Sequence, residues 1–134
     1  MRVYLCRHAQ AAAGEPDELR ELTPAGLEQA QALGAALAAR AEPPVLVLTS
    51  PLIRARQTAA EIARATGAPV SVEDALAPGA TAATLAGAVV RLDGVSGPVA
   101  TVGHQPDCSE IALELTGTDP GFPVGGSADL EVQA

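Results

Sequence analysis

The sequence predicts an α/β protein whose architecture is a three-layer α/β/α sandwich with a mainly parallel central sheet. Short apolar runs rich in β-forming residues alternate with longer segments whose apolar residues recur at helical spacing. Parallel neighbouring strands need helical crossovers, and this alternation supplies them. The length of 134 residues corresponds to about one domain, so residues 1–134 are expected to fold as a single unit.

The composition indicates a globular protein and limits the classes of partner that it is expected to bind. Apolar residues make up 48% and charged residues 18% of the chain, which excludes disordered and collagen-like classes. The 16 acidic residues outnumber the 8 basic ones, all of them Arg, and give a formal charge of −8. Neither nucleic acid nor a membrane surface is therefore expected as a partner. The opening apolar stretch is too short for a signal peptide or a membrane span, so the expected location is the cytoplasm.

The first strand is predicted over residues 2–6, an apolar run that stops at polar residues. Thr23 and Pro24 then give an N-cap followed by proline in the first helical turn. A helix should follow, because apolar residues recur at helical spacing as far as Ala41, and the prolines at 43–44 end it.

The second strand is predicted over residues 45–49. Ser50 and Pro51 repeat the signal of a cap followed by proline, so a helix is expected over residues 52–65. A minor strand is expected at 70–72.

The last third of the chain continues the alternation. A weakly marked helix is expected over 81–91 and a strand over 99–102. A helix should then run over residues 106–115 and end at Gly117, and residues 128–132 are expected to add an edge strand.

Polar side chains collect after three of the predicted strands. Arg7 and His8 follow the first strand, Arg54 follows the second, and His104 follows a later one. Ligands of open parallel sheets bind at the carboxyl ends of the strands. Two Arg and two His side chains converging there form a compact cationic pocket on an acidic protein, which suits a phosphoryl group.

Motifs around these residues carry a family resemblance. The segments are Leu-Cys-Arg-His-Ala at 5–9, Thr-Ser-Pro-Leu-Ile-Arg-Ala-Arg-Gln-Thr-Ala at 49–59 and Val-Gly-His-Gln-Pro at 102–106, with supporting segments at 20–26 and 122–128. Together they resemble the histidine phosphatase (phosphoglycerate-mutase-like) superfamily over nearly the whole chain. The family fold is an α/β sandwich of the kind predicted above.

Three features are most similar to the SixA-like branch of that superfamily, whose name-giving activity is on phosphohistidine. They are the short length, Ala9 in place of the signature glycine, and the tract at 103–110. The resemblance implies a phosphatase acting on phosphohistidine or a small phosphorylated ligand. A general phosphomonoesterase of the same superfamily and a non-enzymatic module that binds a phospholigand are the alternatives.

The resemblance also implies roles for individual residues. His8 would be the nucleophile that forms a phosphohistidine intermediate, Arg7 and Arg54 would clamp the phosphoryl oxygens, and His104 would donate to the same oxygens. Gln10, directly after the signature, could reach the rim of the pocket.

The general acid is the point at which this sequence departs from the family. Many members carry a glutamate after the second helix, where this chain has Glu73 and Asp74 without the surrounding family pattern. We expect these two to be loop or strand-end carboxylates. Under the phosphomonoesterase alternative the acid would be Glu73, Asp74, Asp17 or Glu18. Because an alkoxide leaving group needs an acid and an imidazole does not, a missing acid favours a phosphoramidate substrate.

The remaining polar and sulfur-containing residues have structural interpretations. Ser50 is expected to cap a helix, Arg56 to be a solvated helix residue, and Cys6 and Cys108 to be small buried residues. No cofactor and no metal site is expected, since the two His are far apart in sequence and lack a helix-spaced ligand pair. The expected partner is a phosphorylated protein or a small phosphorylated substrate, and the expected state is a monomer.

Overall fold

The computed structural model describes residues 1–133. Its strands and α-helices are, in chain order, β1 (Arg2–Arg7), α1 (Pro24–Ala38), β2 (Leu46–Thr49), α2 (Ile53–Thr66), β3 (Val70–Val72), α3 (Ala82–Val90), β4 (Val99–Gly103), α4 (Asp107–Thr116) and β5 (Ser127–Glu131). One-turn 3-10 helices cover Asp17–Leu19 and Asp74–Leu76. The alternation of strands and helices is the one predicted from the sequence.

The five strands form one sheet in the order β3-β2-β4-β1-β5. All neighbouring pairs are parallel except β1 and β5, which are antiparallel, so the prediction of a mainly parallel sheet is confirmed. Strand β4 lies between β1 and β2, with Gly103 opposite Arg7 and Val102 opposite Thr49. The carboxyl ends of these three strands therefore meet at one edge of the sheet.

Helices cover both faces of the sheet, which confirms the three-layer sandwich. Successive residues of β1 point to opposite faces, so that Tyr4 and Cys6 contact one core and Val3 and Leu5 the other. The first core includes Leu33 and Leu37 of α1 and Ala55, Ala59 and Ile62 of α2. The second includes Leu85 and Val89 of α3 and Cys108, Ile111 and Ala112 of α4.

One predicted helix end and one predicted helix cap are wrong. Helix α1 ends at Ala38 rather than Ala41. The chain turns there because Arg40 makes tertiary contacts. Its guanidinium lies 4.8 Å from the centre of the Tyr4 ring and pairs with Asp129. At the start of α2 the N-cap position belongs to Leu52, so Ser50 is not the helix cap that the sequence indicated.

The start of α1 lies directly against the loop that follows β1. Thr23 accepts a hydrogen bond from the Gly26 amide and caps the helix as predicted. A Cβ atom at Gly26 would lie 2.0 Å from the Gln10 carbonyl oxygen, so only glycine permits this approach.

Within residues 1–133 the structure contains no helix with the length and apolar character needed to cross a lipid bilayer.

Candidate active site

His8 lies at the carboxyl end of β1, with both ring nitrogens engaged. Its backbone amide donates to the Gly103 carbonyl at 3.0 Å and its carbonyl accepts from the Gly125 amide at 3.1 Å. The ring Nδ1 lies 2.7 Å from the Ala9 carbonyl oxygen. Because a carbonyl oxygen only accepts, Nδ1 carries the hydrogen and Nε2 carries the lone pair. Arg54 Nε donates to that lone pair at 3.3 Å.

The surroundings of His8 favour the neutral imidazole. Burial is the largest cause that lowers the pKa of His8, and the Arg54 and Arg7 guanidiniums lower it further. The hydrogen bond to the Ala9 carbonyl opposes this shift and raises the pKa, but the net direction is downward. At neutral pH the ring is therefore uncharged, which is the form that can act as a nucleophile.

Arg54, in the first turn of α2, is buried and joins His8 to the 3-10 helix that begins at Asp17. Its Nη1 donates to the Asp17 carbonyl oxygen at 2.9 Å and its Nη2 to Asp17 Oδ2 at 3.2 Å. Arg20 donates to Oδ1 of the same carboxylate at 2.9 Å. These hydrogen bonds, from Arg20 and then Arg54, hold the pKa of Asp17 below its usual range. Asp17 is thus an ionised partner of both guanidiniums.

Arg7 is fixed by the segment that precedes β5. Its Nη1 donates to the Phe122 carbonyl oxygen at 2.9 Å, and its backbone amide donates to the Gly126 carbonyl at the same distance. Its Nε is buried and has no hydrogen-bond partner within residues 1–133. The Nε–H of Arg7 is therefore free to donate to an acceptor on a bound molecule.

His104 follows β4 and lies beside His8, with the ring centres 5.2 Å apart and the ring planes inclined at 56°. Only 4% of the residue is exposed. Its Nε2 lies 2.7 Å from Ser50 Oγ, whereas its Nδ1 is buried with no partner among the described residues. Burial, and then the proximity of His8 and Arg54, lower the pKa of His104 to about 4. His104 is neutral over the physiological range.

The lowered pKa of His104 predicts a loss of stability in acid. The unfolded chain, with a His pKa of about 6.5, takes up the proton before the native state does. This residue's contribution is therefore complete above pH 6.5 and is lost as the pH falls towards 4. Between those limits the unfolding free energy of the native protein should fall by about 3 kcal/mol relative to the His104→Asn variant. Urea unfolding of both proteins at several pH values measures this, and a pH-independent difference would contradict it.

Several candidates from the sequence make no hydrogen bond to either histidine within residues 1–133. Gln10 is exposed, and its side-chain oxygen accepts from Thr23 Oγ1 at 2.7 Å. Glu73 accepts from the Ala75 amide and from Arg91, each at 3.0 Å, which agrees with a strand-end carboxylate. Asp74 is exposed. Of the four candidate acids, Asp17 is the one with a hydrogen bond to Arg54.

Glu18 and Arg56 are exposed, and the exposure of Arg56 agrees with a solvated helix residue. Cys6 and Cys108 are buried, which confirms the prediction that they are small buried residues.

The sequence did not reveal three supporting contacts. Ser50 contacts His104, whereas the proline that follows it suggested a helix cap. The Phe122 carbonyl fixes Arg7, and no side-chain pattern marks a backbone oxygen. Thr58 Oγ1 accepts from the Ala9 amide and donates to the Arg54 carbonyl, which ties α2 to the loop after His8. The segment at 49–59, quoted above for its resemblance, contains two of these three residues.

A comparison with protein families matches more than half of the chain. A model described as the histidine phosphatase superfamily (branch 1) matches residues 3–78, which include Arg7, His8 and Arg54 but not His104. No curated protein matches the chain in sequence.

Solved structures share the fold over nearly the whole chain. A SixA protein of Agrobacterium tumefaciens, assigned as a phosphohistidine phosphatase, is 32% identical with a TM-score of 0.82, and the alignment covers 96% of this chain and 89% of that one. One from Nakamurella multipartitia, assigned likewise, is 29% identical with a TM-score of 0.78 and coverages of 96% and 82%. The protein histidine phosphatase SixA complexed with tungstate has a TM-score of 0.82 at 24% identity, with coverages of 97% and 96%.

These similarities support phosphatase activity. With more than half of its length matched by the family model and a fold shared with SixA structures, the chain belongs to the histidine phosphatase superfamily.

Proposed function

We propose that the protein hydrolyses the phosphorus–nitrogen bond of phosphohistidine through a covalent intermediate on His8. The observation that carries this proposal is the contact of His8 Nδ1 with the Ala9 carbonyl oxygen, which sets the tautomer of the ring. Its Nδ1 hydrogen is bound to the Ala9 carbonyl at 2.7 Å, which leaves the Nε2 lone pair as the nucleophile. Attack of Nε2 on phosphorus forms the new nitrogen–phosphorus bond while the bond to the leaving group breaks. Water then attacks the phosphohistidine and releases inorganic phosphate and neutral His8.

The groups around His8 Nε2 are hydrogen-bond donors, and they can stabilise the negative charge on a phosphoryl group during its transfer. Arg54 Nε already lies 3.3 Å from the attacking nitrogen. Arg7 Nε and His104 Nδ1 are buried and lack protein acceptors within residues 1–133, and each would donate to a phosphoryl oxygen. Fixed donors of this kind stabilise the charge spread over the equatorial oxygens of the transition state.

Neither Asp17 nor Glu73 serves as a proton donor for the leaving group. Asp17 has its pKa lowered by hydrogen bonds from Arg20 and Arg54, so it carries no proton to give at neutral pH. Both side-chain oxygens of Glu73 are engaged, one by the Ala75 amide and the other by Arg91. An alkoxide leaving group would therefore depart without help.

A phosphohistidine substrate overcomes this lack of an acid through its own chemistry. The second ring nitrogen of its imidazole takes a proton from solvent, so the ring leaves as neutral imidazole and needs no enzymatic acid. This difference between leaving groups supports phosphohistidine over the phosphomonoesterase alternative.

Charge at the mouth of the site supports a protein as the carrier of the phosphoryl group. Glu15, Asp17, Glu18 and Glu21 are all exposed on the segment that brings Asp17 to Arg54. The chain as a whole has a formal charge of −8. A partner with a basic surface around its phosphohistidine would be steered to this acidic rim, whereas a free anionic metabolite would gain no such attraction.

Substrate preference provides the test. The kcat/KM for a phosphohistidine peptide should exceed that for a phosphoserine peptide of the same sequence by at least about 10²-fold, since general acid catalysis contributes that much or more. Phosphate release from both peptides measures the ratio. The Glu73→Gln variant serves as a control and should behave like the native protein on both. Comparable turnover of the two peptides, with the phosphoserine activity lost in Glu73→Gln or Asp17→Asn, would establish a phosphomonoesterase instead.

A further inference from the structure

Ser50 has no role in the proposed function, although its buried hydroxyl contacts His104. Ser50 follows β2 and is fully buried, and His104 follows the neighbouring strand β4. Ser50 Oγ lies 2.7 Å from His104 Nε2 and accepts from the Leu52 amide at 3.3 Å. Within residues 1–133 these are the two hydrogen-bond partners of the hydroxyl.

We infer that Ser50 is a positioning residue that donates its hydroxyl hydrogen to Nε2 of His104 and thereby fixes the tautomer in which Nδ1 bears the hydrogen. In that tautomer His104 presents an N–H donor, rather than a lone pair, to an oxyanion bound at His8. The inference deepens the proposed function, because the value of this donor depends on a phosphoryl group at that place.

Counting hydrogens decides the direction of the bond. His104 is neutral, with its pKa lowered to about 4, so its ring carries one hydrogen. If that hydrogen were on Nε2, the Ser50 hydroxyl would accept from both Nε2 and the Leu52 amide. Its own hydrogen would then be buried without an acceptor, and the Nδ1 lone pair would be buried without a donor. If Ser50 donates instead, one group is left without a partner, the Nδ1 hydrogen.

The Nδ1 hydrogen of His104, which has no partner in this arrangement, can donate a hydrogen bond to a bound oxyanion. An N–H beside a phosphoryl oxygen makes a charge-assisted hydrogen bond, whereas a lone pair at the same place repels the oxygen. The His104 ring centre lies 5.2 Å from that of His8, so the His104 ring belongs to the same site as the nucleophile. The amide of Leu52, the hydroxyl of Ser50 and the ring of His104 thus form a chain of donors that points in one direction.

The tautomer can be measured without any substrate. Nitrogen-15 NMR of the native protein should show His104 with a protonated Nδ1 and a bare Nε2. Ser50→Ala should shift this ring towards the Nε2-protonated form, and Ser50→Thr, which keeps a hydroxyl, should restore the native signature. Thr101→Val is the matched control, since it removes a buried hydroxyl of β4 that has no hydrogen-bond partner within residues 1–133, and it should leave His104 unchanged.

Oxyanion binding and turnover complete the test. Ser50→Ala should bind tungstate about tenfold more weakly and lower kcat by a similar factor, as expected for the loss of one hydrogen bond to a charged group, and Ser50→Thr should recover both. An Nε2-protonated His104 in the native protein, or the native tautomer in Ser50→Ala, would overturn the inference. If the native protein shows the expected tautomer but hydrolyses no phosphorylated substrate, the proposed function fails and the assignment of Ser50 as the group that fixes the tautomer stands.

Discussion

Replacing His8 with asparagine is expected to lower phosphatase turnover roughly 10⁴-fold or more, because the covalent route is lost together with the nucleophile. Asparagine is close to histidine in polarity and cannot form a phosphoramidate intermediate. Rapid acid-free quenching of the native protein with radiolabelled phosphohistidine should trap an acid-labile phosphoenzyme. Mass spectrometry of its peptides should locate the phosphate on His8, and His8→Asn should show no label.

The neighbouring histidine supplies the matched control. His104 lies beside His8, but its Nε2 is bound to Ser50 and its Nδ1 is buried, whereas His8 has a lone pair facing Arg54. His104→Asn should therefore still become labelled on His8, at a lower rate. A label on His104, or an undiminished label in His8→Asn, would show that the nucleophile is assigned wrongly. A protein that binds the phospholigand equally well with and without His8, and is never labelled, would be a binding module rather than an enzyme.

The order of strands and helices was predictable because each element carries a local signal. Thr23 caps α1 and Gly117 ends α4 in the structure, as their patterns indicated. Boundaries set by tertiary contacts were not predictable. Helix α1 ends early because Arg40 contacts Tyr4 and Asp129, which are far away in sequence.

The same distinction holds for the candidate site. Arg7, His8, Arg54 and His104 could be singled out because the carboxyl ends of parallel strands converge, and the structure does bring Arg54 and His104 to His8. Interactions that depend on an individual hydrogen bond could not be predicted. Ser50 precedes a proline, which is the pattern of a helix cap. Its hydroxyl contacts His104, and this contact depends on the placement of strand β4 beside β2 in the folded sheet.

Replacing Arg54 with alanine is expected to lower kcat/KM roughly 10³-fold or more, the range observed when an arginine that stabilises a phosphoryl transition state is lost. Arg54→Lys should restore little of it. A lysine has one compact ammonium group and cannot contact His8 Nε2, the Asp17 carbonyl and the Asp17 carboxylate with three separate nitrogens, as Arg54 does. Steady-state kinetics with phosphohistidine measures both variants.

Arg56 provides a control on the same helix. It lies two residues after Arg54 and is exposed, so Arg56→Ala removes an equal charge from α2 without touching His8. Its kcat/KM should stay within about twofold of the native value, because exposed charges are screened by solvent. A similar loss in both variants would mean that Arg54 acts through the overall charge of the helix rather than through its contacts.

The titration of His8 separates the electrostatic effect of Arg54 from its contacts with a phosphoryl group. The Arg54 guanidinium contributes, after burial, to the lowered pKa of His8. Its removal should therefore raise that pKa, so the acid limb of phosphoenzyme formation moves to higher pH. If this shift were the whole effect, Arg54→Ala would regain the native rate once the pH is high enough to deprotonate His8. Because the guanidinium also stabilises the transferring group, the rate at that plateau should remain far below the native rate.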